Sequence, residues 1–69
     1  MMFLKLITED KEKSMEVRAW LKDRYARYDY EVEAWNISAM EISIIDDIVK
    51  VFPEGKLVWN KSKPVTFTI

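Results

Sequence analysis

The hydrophobic and polar positions change rhythm several times along this chain, and each rhythm predicts an element. Residues 3–8 are apolar nearly throughout, with Lys5 the only charge, which predicts a strand able to lie centrally in a sheet. In residues 10–28, Ser14, Val17, Leu21, Tyr25 and Tyr28 recur at three- and four-residue spacing and fall on one helical face. Glu9, Asp10 and Glu12 at the start of that segment and Arg24 and Arg27 near its end suit the helix dipole. Residues 30–35 alternate: Tyr30, Val32 and Ala34 point one way, Glu31, Glu33 and Trp35 the other, which predicts a half-buried strand.

Residues 38–52 support two readings. As a helix, Ser38 and Glu41 form a capping-box pattern, Ile37 and Ile42 fit a hydrophobic staple, and Pro53 marks the stop. Ile37, Met40, Ile44, Ile48 and Val51 then share one face. As part of a hairpin, residues 49–52, the turn sequence Pro53-Glu54-Gly55 and residues 56–59 read as strand, turn and strand. The helix is preferred, because Asp46-Asp47 would otherwise need a tight turn without glycine.

Residues 56–59 and 65–69 read as strands joined by a polar connection, and closely connected strands pair antiparallel. The expected fold is a single small α+β domain over residues 1–69, in the order β-α-β-α-β-β. It has two layers: about four strands in a largely antiparallel sheet, with one or two helices on one face. Glu16-Val17-Arg18-Ala19-Trp20 and Glu31-Val32-Glu33-Ala34-Trp35 echo each other, but five residues in one pair do not make a repeat.

Composition narrows the chemistry. The chain has 69 residues, 49% of them hydrophobic, so it is too apolar for disorder yet short enough to have a small core. It contains neither cysteine nor histidine. Disulfides, thiolate metal sites and Ser–His or Cys–His nucleophiles are therefore excluded. A single glycine, Gly55, rules out the usual phosphate-binding loops. Asp46, Asp47 and Glu41 lack the spacing of a metal motif, so no metal, cofactor or catalytic set is expected, and the chain is read as a non-enzyme. No stretch approaches the length of a membrane span, and residues 1–7 lack a signal-peptide layout, so a cytoplasmic protein without membrane contact is expected.

Charge supplies the positive clue. The net charge is −1, but it is divided along the chain. Lys11, Lys13, Arg18, Lys22, Arg24 and Arg27 outnumber Glu12, Glu16 and Asp23 in residues 11–28. In residues 29–54 every charge but Lys50 is acidic, and Lys56, Lys61 and Lys63 follow. The leading expectation is a protein-binding regulator or inhibitor, an accessory protein of the kind phages and mobile elements encode. It would present Glu31, Glu33, Trp35, Asp46 and Asp47 to a basic partner surface. The alternative is a nucleic-acid-binding module using Arg18, Lys22, Arg24, Arg27, Lys61 and Lys63, with Trp20 nearby. An open sheet edge also makes a homodimer an expectation.

Overall fold

A computed structural model describes residues 2–59 and 64–69. Strand β1 (Phe3–Ile7) leads into helix α1 (Lys11–Asp23). Two short strands follow, β2 (Arg27–Asp29) and β3 (Ala34–Asn36), then a 3₁₀ turn (Ser38–Met40) and helix α2 (Glu41–Val51). Strands β4 (Lys56–Val58) and β5 (Val65–Thr68) complete the chain. Among the described residues five strands form one open sheet in the order β2-β3-β1-β5-β4.

The two-layer α+β expectation holds, with two corrections. The sheet has five strands rather than about four, because β2 occupies residues assigned to the end of the first helix. It is also mixed: β1 pairs parallel with β5 (Leu4 opposite Val65, Leu6 opposite Phe67), while its other neighbour β3 and both outer pairings are antiparallel. Given these directions, β1 and β2 run parallel with β3 between them, and β3 and β4 run parallel with β1 and β5 between them. Each helix is thus a crossover between parallel strands. Two right-handed crossovers running in opposite directions, from strands of opposite sense, lay both helices on the same face.

The core confirms that layering. Val17, Trp20 and Leu21 of α1 and Ile44 and Ile48 of α2 join Leu4, Trp35, Ile37, Val65 and Phe67 in one buried cluster. On β1 the alternate residues Lys5 and Ile7 are exposed, which marks the uncovered face of the sheet. Trp20 meets Phe52 edge to face at 6.1 Å, so it is a core residue despite lying off the predicted stripe. Gly55 is required by close approach. A Cβ there would lie 2.2 Å from the ring of buried Phe67.

Local chemistry explains the helix limits. The Asp10 carboxylate accepts hydrogen bonds from the backbone N–H groups of Glu12 (2.9 Å) and Lys13 (3.1 Å), which starts α1. The helix ends at Asp23, not near residue 28. Tyr25 adopts a left-handed φ of 66°, its N–H bonds to the Lys22 carbonyl, and the Ala26 N–H bonds to the Leu21 carbonyl. This pair of bonds is the Schellman termination, and it turns the chain into β2. Tyr25 is consequently exposed rather than on the buried face.

Residues 38–52 are helical, as preferred, but the predicted cap is not used. The Ser38 hydroxyl accepts from the Met2 N–H at 2.9 Å, tying β1 to the chain after β3, and α2 has no side-chain cap. The Ile37–Ile42 staple is likewise unmade: Ile37 is fully buried and Ile42 is exposed. Of the predicted face, Ile37, Ile44 and Ile48 are buried, whereas Met40 and Val51 are exposed. No helix among the described residues is long and apolar enough to cross a membrane.

Candidate functional site between the first helix and the β2–β3 hairpin

On α1, Ser14, Arg18 and Lys22 stand four residues apart and form one row. The row faces the β2–β3 hairpin, which supplies aromatic rings. Arg18, Lys22, Tyr28, Tyr30 and Trp35 line a cleft of about 280 Å³. The cleft runs on past Arg18 and Tyr28 to Thr8, Ser14 and Glu33.

The three rings are graded by depth. Trp35 is 4% exposed and forms the floor, Tyr28 is 38% exposed, and Tyr30 is 84% exposed at the rim. Tyr28 meets Trp35 edge to face at 5.5 Å and Tyr30 edge to face at 4.9 Å. Edge-to-face contacts stabilise such a cluster beyond simple burial. The outer ring therefore rests on Tyr28, which in turn rests on Trp35, while its surface faces solvent.

The hairpin turn sets this arrangement. The Asp29 carboxylate accepts from the N–H groups of Glu31 (2.9 Å) and Val32 (3.3 Å), and the Glu33 N–H bonds to the Asp29 carbonyl at 2.8 Å. Residues 30–33 are thus a turn closed by an Asx bond, with Glu33 in the left-handed region at φ 58°. This overturns the alternating strand expected over residues 30–35. Glu31 and Glu33 sit at the exposed tip, and Trp35 points into the core rather than sharing an acidic face with them. Asp29, a residue whose side chain can close a turn on the backbone two residues on, was the available signal.

Among the described residues the ion pairs are Lys13 with Glu16 (3.3 Å) and Lys13 with Glu54 (2.9 Å). Arg18 and Lys22 form none, so both charges are available to a ligand. Two cations one turn apart beside an exposed ring can hold an anion and stack a planar group at the same time.

The remaining candidates are dispersed. Arg24 lies 4.0 Å over the Trp20 ring, and its guanidinium donates to the Trp20 carbonyl, so its role is to cover the core. Arg27 lies on the other side of the hairpin, in a shallow depression with Tyr28, Tyr30, Glu31 and Asn36. Lys61 and Lys63 lie outside the described residues. Asp46 is exposed and Asp47 half-buried on α2, the helix over the β5–β4 side of the sheet, so they do not join Glu31 and Glu33. Sequence reasoning missed Tyr28 and Tyr30 as site residues, having placed one on the first helix and the other on the buried side of a strand. Among the described residues no three acidic side chains are grouped so as to hold a metal ion.

Comparison with protein-family models, with curated proteins and with solved structures found no match. The cleft has to be read from its own chemistry.

Proposed function

We propose that this chain is a small non-enzymatic binding module that holds single-stranded nucleic acid in the cleft between α1 and the β2–β3 hairpin. One observation carries the reading: Arg18 and Lys22, without ion-pair partners among the described residues, border the same cleft as the half-exposed Tyr28 and the exposed Tyr30. Cations that meet phosphates and rings that stack bases are the two components of single-strand recognition. An unpaired base can reach Tyr30, whereas a base inside a duplex presents only its edge. Arg27 beyond the tyrosines extends the cationic contacts around the hairpin. The acidic tip, Glu31 and Glu33, would limit where the backbone passes.

The geometry favours this reading over the acidic protein-binding surface built on Glu31, Glu33, Trp35, Asp46 and Asp47. That surface needs Trp35 displayed, and Trp35 is buried.

The test is fluorescence anisotropy with labelled single-stranded RNA and DNA of mixed sequence. Binding at low salt should weaken on a log–log plot with a slope of about −0.7 per phosphate contacted. The R18E/K22E pair should reduce affinity at least tenfold. Y30A should cost about 1–3 kcal/mol of binding, the usual value of one stacked base. No complex with either polymer at low salt, or equal binding by R18E/K22E, overturns the proposal.

A further inference from the structure

A second surface on α2 has different chemistry. Met2, Glu41, Ile42, Ile45, Asp46 and Trp59 line a groove of about 110 Å³. Ile42 is 74% exposed and Trp59 is 58% exposed, although both are large apolar side chains. Helical spacing produces the surface: Glu41 and Ile45 stand four apart, as do Ile42 and Asp46, so carboxylates and isoleucines alternate around one face. The chain leaving β4 then brings Trp59 against that face. Among the described residues the lining includes two carboxylates and no cationic side chain.

Size and charge identify the occupant. The groove is well below the roughly 300–1,000 Å³ of small-molecule sites, and suits a single large side chain. An exposed tryptophan beside isoleucines is the composition of an interface anchor. Carboxylates at the rim select against acidic partners and favour basic ones.

We infer that this groove docks a short segment of a partner protein, with one large apolar side chain set against Ile42, Ile45 and Trp59 and flanking lysine or arginine meeting Glu41 and Asp46. The acidic interaction surface expected from the sequence is thereby relocated. It uses Asp46 with Trp59, in place of Glu31 and Glu33 with Trp35. It stands independently of the nucleic-acid cleft, which lies beside the other helix.

The test uses a random peptide display library selected on the full chain and, in parallel, on the I42E variant. Ile42 is exposed, so I42E should stay folded, and D46K provides a second variant that leaves the apolar lining untouched. Peptides enriched on the wild type but not on I42E should carry one large apolar residue flanked by lysine or arginine. Synthetic copies should bind with at least tenfold weaker affinity to W59A and to D46K, and with unchanged affinity to R18E/K22E. Trp20 and Trp35 are buried, so a blue shift of the red-edge tryptophan emission should report contact at Trp59. The inference is overturned if no peptide is enriched over I42E, or if the enriched peptides lack basic residues. It is also overturned if sedimentation velocity shows a dimer of this chain that I42E disperses, which would make the occupant a second copy.

Discussion

Glu16-Val17-Arg18-Ala19-Trp20 and Glu31-Val32-Glu33-Ala34-Trp35 differ at one position in five, yet they fold differently. The first lies wholly within α1. The second is a turn that enters β3. Val17 is fully buried and Val32 is 44% exposed; Ala19 is exposed and Ala34 is buried. The tryptophans end alike, both in the core. The flanks make the difference. Asp10 caps a helix of 13 residues, whereas Asp29 closes a turn almost at once, with the Schellman termination just upstream. The same aspartate chemistry begins a helix in one place and a hairpin loop in the other. Local pattern assigns burial only once the element is known.

The largest effect should come from the shared tryptophans. Trp35→Ala and Trp20→Ala should each cost about 3–5 kcal/mol in urea denaturation, because each removes a buried aromatic from the core. Trp59→Ala should change stability by no more than about 0.5 kcal/mol, as expected for an exposed site. If Trp35→Ala proved as mild as Trp59→Ala, Trp35 would not form the floor of the cleft.

The two aspartates come next. Asp10→Ala should cost about 1 kcal/mol through loss of the N-cap. Asp29→Ala should cost a similar amount, about 1 kcal/mol, because the Glu31 and Val32 N–H groups lose their acceptor. It should also loosen Tyr30 and weaken oligonucleotide binding, which Asp10→Ala should leave intact.

The third position, where the two segments differ, predicts opposite signs. Arg18→Gly, inside a helix, should destabilise by about 1 kcal/mol. Glu33→Gly, at φ 58°, should stabilise by about 0.5–1 kcal/mol, because glycine adopts the left-handed region without steric cost. Thermal melts of the two variants check this directly, and a destabilised Glu33→Gly would mean that the turn is held in another conformation.

The smallest effect concerns the exposed tie between α1 and the turn before β4. Hydrogen bonding to Glu54 and Glu16 raises the Lys13 pKa, and hydrogen bonding to Lys13 lowers that of Glu54. A lowered carboxylate contributes stability above its unfolded pKa and loses it as pH falls through the folded value. A raised lysine contributes below its unfolded pKa and loses it as pH rises through the folded value. The difference between wild type and Glu54→Gln should therefore be greatest between the carboxylate and lysine ranges. It should disappear in acid, in strong base and at high salt. A constant difference across pH would show that the pair contributes nothing.

Much of the fold was legible because periodicity and local capping act within a few residues. The continuous apolar run of β1 announced its central place, and the row Val17 and Leu21 marked the buried side of α1. The isoleucines at 37, 44 and 48 likewise identified the inner face around α2. The errors fell at Tyr25, Tyr28 and residues 30–33, where a non-glycine left-handed residue ended a helix that the apolar spacing would have continued. Shifting the boundary by a few residues moved Tyr28 from a helix face to the wall of a cleft. The candidate site was legible only in its cationic half, Arg18 and Lys22.

By itself the sequence determined the absence of cysteine and histidine chemistry, the α+β class, the core helices and the division of charge. These depend on residue type and short-range spacing, which the chain carries without folding. The tertiary structure decided the fifth strand, the parallel pairing of β1 with β5, and the fate of each tryptophan. Trp20 and Trp35 are buried and Trp59 is exposed because burial depends on which elements cross the sheet at that point. That depends on contacts between residues far apart in sequence. The same contacts put the basic row of α1 beside tyrosines and the acidic face of α2 beside Trp59, and so gave two ends of one small sheet opposite chemistries.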